Sequence, residues 1–324
     1  MVTSRIKATG AYAPAQIITN DDLAKVMDTS DEWIRSRTGI HSRHLSSGEN
    51  TAEIAAKAGM QILERSKVAA EEIDLLIVGT ITPDYLTPSV ACMVQKELGL
   101  TNAVAFDVTA ACSGFMYALS IADKYIRSGV YRNAIVIGAE VLSKIMDWTD
   151  RSTCCLFGDG AGGVYIEASE DEGILCEEMG SDGFSYEALI GGLVPPSNRF
   201  NDVPALSAMH FVEMDGRAVF KFATKTVSHS ILQVLEKAGV EARDVAHIIP
   251  HQANSRIVDA IAKKTDIPPE KFYINLDHFA NTSSASIPLA LNEMNENGML
   301  KPGEKILMTG FGGGLTWGTV LLTW

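Results

Sequence analysis

Apolar residues fall along this chain in two rhythms, short unbroken runs and stripes at helical spacing, and their alternation predicts a layered α/β body. The runs at 74–79, 103–108 and 134–138 have the length and β-branched content of buried strands. Residues 51–65, opened by Asn50 or Thr51 with Glu53 close behind, and residues 88–98 repeat apolar positions as helices do. Residues 1–50 mix short strands with a polar segment, 28–40, in which a helix starts at a Ser or Asp cap. Residues 154–166 read as two strands around a glycine turn. From about 170 to 211, Gly, Pro, Ser and Asn break the pattern and predict a loop-rich connection. Order then returns: helices at 219–238, 253–264 and 286–295, strands at 245–249 and 272–275, and closing strands within 306–323 around another glycine turn.

The two halves share this order. The run at 74–79 answers 246–251, the stretch from Phe106 to Cys112 answers the one from Ile274 to Asn281, and 134–138 answers 305–310. The reading is an internal duplication: two similar mixed-sheet α/β halves, 1–170 and 171–324, with the loop-rich connection at about 171–215. A site then belongs where loops of both halves meet.

Composition narrows the function. With 324 residues, 46% hydrophobic and 21% charged, the chain has a globular profile and room for a large core. A net charge of −13 disfavours nucleic acid or an anionic membrane as the main partner. No apolar leader and no run of membrane-spanning length occurs, so a cytoplasmic protein is expected. The five cysteines form no C-x-x-C pair and are odd in number, which argues against a disulfide framework and a zinc site.

Chemistry gathers at strand ends. In Ala105-Phe-Asp-Val-Thr-Ala-Ala-Cys112-Ser-Gly-Phe115 a strand turns into a helix through small residues, placing Cys112 beside unpaired backbone N–H groups that favour a thiolate. His251 follows the strand Ile248-Ile249-Pro250. Asn281 sits in a turn crowded with small residues, before a helix. Each alone is more often structural; three at corresponding strand ends of a repeat point to one site. The run Gly158-Asp-Gly160-Ala-Gly-Gly163 fits a dinucleotide G-x-G-x-x-G pattern but lies between strands, so a hairpin turn is expected there. His41, His44, His210, His229, His247 and His278 show no metal-ligand spacing.

The motifs Thr109-Ala-Ala-Cys112-Ser-Gly-Phe, Pro250-His251-Gln-Ala-Asn-Ser-Arg256, Asn281-Thr-Ser and Gly310-Phe-Gly-Gly-Gly-Leu-Thr-Trp-Gly318 resemble β-ketoacyl-acyl-carrier-protein synthase III, a thiolase-fold condensing enzyme. The likeness runs from Asp31-Glu-Trp-Ile and Arg37-Thr-Gly-Ile to the last strand. Elongating relatives carry a second histidine where Asn281 stands. Cys, His and Asn together therefore select the initiating branch or the plant-type polyketide synthases, and the Trp33 and Arg37 segment favours the former.

The resemblance implies an acyltransferase of type II fatty acid biosynthesis. Cys112 takes an acyl group from acyl-CoA, and malonyl-acyl carrier protein (ACP) condenses with it, losing CO2, to give 3-oxoacyl-ACP. His251 and Asn281 stabilise the decarboxylating thioester, the N–H groups of Cys112 and Gly313 form an oxyanion hole, and Phe311 shields the carboxylate. No metal or redox cofactor is implied; the CoA and ACP thioesters are substrates. By the same resemblance Trp33, Arg37 and Arg151 contact CoA, Gly216 and Asn254 its pantetheine arm, and Thr87 borders the acyl pocket from a second subunit of a homodimer. Gln252, Ala253, Asn254, Ser255, Arg256 and Lys221 meet the carrier protein, with Lys225, Lys263 and Lys264 extending the basic patch. Trp33 and Arg151 suit an adenine ring between an indole and a guanidinium; otherwise Arg151 pairs with Asp147 or Asp150. A cysteine thioesterase using Cys112 and His251 and a silent scaffold of the same fold are the rival readings.

Overall fold

The structure, a computed structural model, describes residues 2–192, 195–201 and 211–324; His210 lies outside them. Strand β1 (Thr3–Tyr12) leads to the small pair β2 (Gln16–Thr19) and β3 (Ser42–Leu45), between which lie helices α1 (Asn20–Leu23) and α2 (Asp31–Thr38). Then follow α3 (Thr51–Ser66), β4 (Leu75–Gly79), α4 (Val90–Leu98), β5 (Val104–Val108), α5 (Gly114–Arg127), β6 (Asn133–Glu140), β7 (Gly160–Ser169) and β8 (Ile174–Ser181). After the two-residue strands β9 (Leu189–Ile190) and β10 (Glu213–Met214) come α6 (Gly216–Ala238), β11 (Val245–Pro250), α7 (Ser255–Thr265), α8 (Leu276–Phe279), α9 (Ser286–Glu296), β12 (Lys305–Gly312) and β13 (Thr316–Thr323). The long helices start where polar side chains satisfy first-turn N–H groups. Ser30, Asn50, Ser89, Asp215 and Asn254 accept from backbone N–H groups at the starts of α2, α3, α4, α6 and α7.

Two mixed sheets result, ordered β1-β7-β6-β4-β5 and β11-β12-β13-β8. Their pairing agrees strand for strand. β4 runs parallel to β6 as β11 does to β12; β6 is antiparallel to β7 as β12 is to β13; and β7 meets β1 as β13 meets β8. Helices α3 and α4 cover the outer face of the first sheet and α6 and α7 that of the second. α5 and α9 lie between the sheets, and their residues Phe115, Met116, Leu119, Ile287, Leu291 and Met294 form one core with strands of both. Five layers, α-β-α-β-α, bury both sheets on both faces, which explains the unbroken apolar runs.

Three expectations need correction. The glycine run does not turn: Gly160, Gly162 and Gly163 lie inside β7. Their missing side chains make room, since a Cβ on Gly162 would stand 2.8 Å from Leu289 N and one on Gly163 2.4 Å from Val136 O. The stretch read as wholly loop-rich contains β8, whose half-buried Glu177 and Glu178, paired with Ser120 and Lys124 on one face and with Ser230 and Trp317 on the other, break the apolar pattern of a strand that pairs with β13. Residues 272–275 form only an isolated bridge, Ile248 to Phe272, so the second sheet lacks a counterpart of the edge strand β5.

Candidate active site

Cys112 lies in a 3-10 turn, Ala111–Ser113, that leads directly into α5. Ala111 adopts a left-handed φ of 46°, which swings the chain sharply at the end of β5. Gly312 at the end of β12 backs this turn, and a Cβ there would stand 2.5 Å from Cys112 N. The other half repeats the arrangement. Ser283, with φ 51°, opens a second 3-10 turn, Ser283–Ala285, that leads into α9. It packs on β6, where a Cβ on Gly138 would meet Ser284 O at 2.2 Å. Each half thus supports the other half's turn.

Cys112, His251, Asn281, Phe311 and Gly312 line one cavity of about 130 Å³, together with Gly216, Ala253 and Asn254. Cys112, Ser283, Gly313, Leu86, Lys144 and Tyr186 line a second, larger one of about 890 Å³. The two share Cys112, Phe157 and Leu189, so the sulfur stands at their junction. Side chains Cys112, His251 and Asn281 are 6%, 2% and 7% exposed.

Burial governs their protonation. The Cys112 thiol is pushed up to about 12, chiefly by burial and also by the Glu140 carboxylate, against an opposing pull from the Ser283 hydroxyl. This corrects the expectation of a resting thiolate: the N–H groups of the turn do not offset the loss of water. Burial pulls His251 down to about 3, so its imidazole is neutral at ordinary pH. Its Nδ1 lies 2.6 Å from Ser286 Oγ, and its ring meets Phe311 edge-on at 5.2 Å. Asn281 is tied on both sides: its N–H donates to Leu156 O, its carbonyl accepts from Gly158 N, and its Oδ1 accepts from Ser283 N at 2.8 Å. With Oδ1 so engaged, Nδ2 is the amide atom left for the cavity.

The remaining predicted residues divide. Trp33 carries the guanidinium carbons of Arg37 and Arg151 at 4.6 and 5.1 Å from its ring centre. Arg151 pairs with Asp28 at 3.2 Å rather than with Asp147 or Asp150. This cluster adjoins the first cavity through Asn254, whose Nδ2 donates to Arg37 O at 3.1 Å. Arg256 is exposed and donates to Ser36 O; Lys221 and Lys225 are exposed on α6, and Lys264 donates across from α7 to Thr224. Ser255 is half-buried at the start of α7. Gln252 does not fit a docking role. It is buried, its Nε2 donates to Pro250 O and Tyr273 O, and its Oε1 accepts from Asn275 N, so it braces the His251 loop. Thr87 is exposed and outside the lining of both cavities, although its neighbour Leu86 belongs to the second. Sequence reasoning missed Ser283, Ser286, Gly312 and the buried acid Glu140. The last had one signal, a lone charge ending the apolar strand Ala134–Ala139.

A buried cysteine at a strand-to-helix turn, facing an imidazole and a carboxamide across two matched sheets, defines a condensing acyltransferase of thiolase-like fold. Family profiles described as 3-Oxoacyl-[acyl-carrier-protein (ACP)] synthase III and its C-terminal part match residues 106–183 and 235–324. The beta-ketoacyl-[acyl-carrier-protein] synthase III of Clostridium acetobutylicum is 49% identical over 324 residues, 100% of this chain and 99% of that protein. The crystal structure of 3-oxoacyl-[acyl-carrier-protein] synthase III from Aquifex aeolicus superposes with a TM-score of 0.93 at 46% identity, covering 99% of this chain and 100% of that one. The priming β-ketosynthase of the R1128 polyketide pathway does so at 0.92 and 35%, covering 99% and 96%. The chain belongs to the β-ketoacyl-[acyl-carrier-protein] synthase III family.

Proposed function

We propose that this chain catalyses the initiating condensation of type II fatty acid biosynthesis: it moves an acyl group from acyl-CoA to Cys112 and condenses it with malonyl-ACP to give 3-oxoacyl-ACP and CO2. The observation that carries this reading is the place of Cys112, which lines both the cavity holding His251 and Asn281 and the larger one. The first admits a pantetheine arm past Gly216 and Asn254; the second takes the acyl chain.

Two charges develop along the route, and each meets fixed donors. In acyl transfer, the thioester oxygen becomes negative near the N–H groups of Cys112 and Gly313. In condensation, loss of CO2 places negative charge on the malonyl thioester oxygen, where the imidazole Nε2–H of His251 and the amide of Asn281 donate. Ser286 Oγ, 2.6 Å from Nδ1, is placed to donate to it; that direction would put the proton of the neutral imidazole on Nε2. Removing a donor of this kind costs about 3 kcal/mol. The apolar ring of Phe311 beside His251 disfavours the carboxylate more than the CO2 it becomes. Thiol, imidazole and amide supply every step, so the reaction calls for no metal or redox cofactor.

Trp33, Arg37 and Arg151 suit the CoA nucleotide, with one guanidinium moving aside for adenine. Arg256, Lys221, Lys225 and Lys264 offer positive charge to an acidic carrier despite the net charge of −13. A homodimer is part of this reading: β5 is an open edge with Val104 exposed, and Tyr85 and Leu86 stand in solvent beside the second cavity, next to Thr87. So is a cytoplasmic setting; no described helix is long and apolar enough to cross a membrane. Product analysis tests the reaction. A mixture of acyl-CoAs with malonyl-ACP should give CO2 and a β-ketoacyl thioester with the protein and no β-ketoacyl thioester with Cys112→Ala; free acid as the sole product would make it a thioesterase.

A further inference from the structure

Glu140, the last residue of β6, is fully buried and ringed by donors. Its Oε2 accepts from Thr80 Oγ1 at 3.1 Å and Thr82 Oγ1 at 2.6 Å, and the Ile81 N–H reaches both oxygens at 3.2 Å. Those two hydroxyls accept from Thr82 N and Val141 N, which leaves their hydrogens for the carboxylate. The first half thus fixes Glu140, and its Oε1 reaches across to the second. There Ser283 Oγ donates to it at 3.2 Å, and Ser284 Oγ lies 3.1 Å from it and 2.7 Å from Gly79 O.

Ser283 is the residue that holds the Asn281 side chain. Leu156 O and Gly158 N fix the Asn281 backbone, which settles where the residue sits but not which way its amide faces. One bond decides that: Ser283 N to Oδ1 at 2.8 Å, the only hydrogen bond of this side chain among the described residues. With the amide turned by half a rotation, its NH2 would meet the Ser283 N–H donor to donor and Oδ1 would face the cavity. Ser283 presents its N–H from a left-handed φ of 51°, a conformation unfavourable to a residue with a Cβ and kept only where the surroundings hold it.

The matching turn of the first half has no such brace. Ala111 takes the corresponding left-handed φ of 46°, and Gly312 ends β12 as Glu140 ends β6; a Cβ on Gly312 would stand 3.2 Å from Ala111 Cβ. The Cys112 turn therefore pairs a glycine with an alanine where the Asn281 turn pairs a carboxylate with a serine. The repeated backbone forms without the polar pair, and the pair occurs in the copy that holds an amide side chain.

We propose, resting on the condensation reading above, that Glu140 is a positioning residue for Asn281: through the Ser283 hydroxyl it holds the turn whose N–H keeps Oδ1 engaged and Nδ2 facing the malonyl thioester. In this role Glu140 touches no substrate and moves no proton. Once Ser283 is loosened, the amide rotates, and an oxygen aimed at the thioester repels the charge that builds there on loss of CO2. Acylation of Cys112 draws on N–H groups outside this turn and is spared.

The test compares Ser283→Ala and Glu140→Leu, the latter filling the space without an acceptor, in the wild-type and Asn281→Ala backgrounds. Cys112 is loaded with whichever of acetyl-, isobutyryl- and hexanoyl-CoA acylates the wild type, followed by intact-mass spectrometry, and condensation is timed separately after malonyl-ACP is added. Both variants should acylate within about twofold of wild type and condense about tenfold more slowly or worse, since a misaimed donor forfeits most of its effect. In the Asn281→Ala background either change should alter condensation by less than about twofold, because its effect passes through the missing side chain. Hydrogen exchange without substrate reads the brace by itself: amides at 281–286 should exchange about tenfold faster in both variants and those at 110–115 as in wild type. If Glu140→Leu does not fold, Ser283→Ala, which removes a single hydroxyl, decides the matter. Equal losses of acylation and condensation, an undiminished loss in the Asn281→Ala background, or unchanged exchange at 281–286 would overturn the proposal. Wild-type condensation by Asn281→Ala itself would instead remove the donor role of Asn281, and the exchange measurement would still show whether Glu140 braces the turn.

Discussion

The turn at Ala111–Ser113 and the turn at Ser283–Ala285 are built alike and do different things. Both open on a non-glycine residue with φ near 50°, run through three small residues and feed a buried helix between the sheets. Each is backed by a glycine of the opposite half, Gly312 for one and Gly138 for the other. The first points a thiol at the junction of two cavities; at the matching place in the second, Ser284 donates to Gly79 O and fills space. The second turn instead holds neighbours in place: Asn281 through a backbone N–H, and Glu140 through a hydroxyl. The fold supplies a paired scaffold, and side chains at a few turn positions divide the labour between nucleophile and donors.

That comparison can be broken at its supports. Gly312→Ala sets a Cβ 2.5 Å from Cys112 N and should shift the nucleophile's turn, lowering acylation by about a hundredfold, since a displacement near 1 Å costs that much. Gly138→Ala drives a Cβ to within 2.2 Å of Ser284 O and should act on the other turn. It should cost about 1–3 kcal/mol of stability by denaturant unfolding and reduce condensation more than acylation. Equal loss of acylation in both variants would mean that the turns are not separable. The smallest effect lies at the rim. Neutralising Arg256 and Lys221 together should raise the KM for malonyl-ACP several-fold and leave that for acyl-CoA nearly unchanged, because rim charges steer the carrier and do no chemistry.

Much of this body is legible in the chain because β4, β6 and β11 are buried and announce themselves as apolar runs, with capped helices between them; β5 reads alike as a buried strand but lies half-buried on an open edge. β8 hides because two of its half-buried positions are acidic and satisfied by polar partners, Glu177 by Ser120 and Glu178 by Ser230 and Trp317. The glycines of β7 mislead because a residue chosen for close approach of α9 looks like one chosen for a turn. Cys112 and His251 follow strand ends and Asn281 sits in a turn before a helix, where local pattern marks them; Phe311 came from the family resemblance, and the structure brings all four to one cavity. Gln252 misleads because its place in the motif says nothing of burial. The raised pKa of the thiol and the hydrogen bonds of Glu140 depend on packing between halves, which periodicity does not encode.

Acylation and condensation measured separately on His251→Ala and Asn281→Ala test the division of labour most directly. Intact-mass spectrometry after mixing each variant with acyl-CoA should show the acyl adduct on Cys112, while turnover with malonyl-ACP falls by about a hundredfold to a thousandfold. Loss of the adduct itself in both variants would contradict the account, because the second half would then be serving the thiol rather than the carbanion.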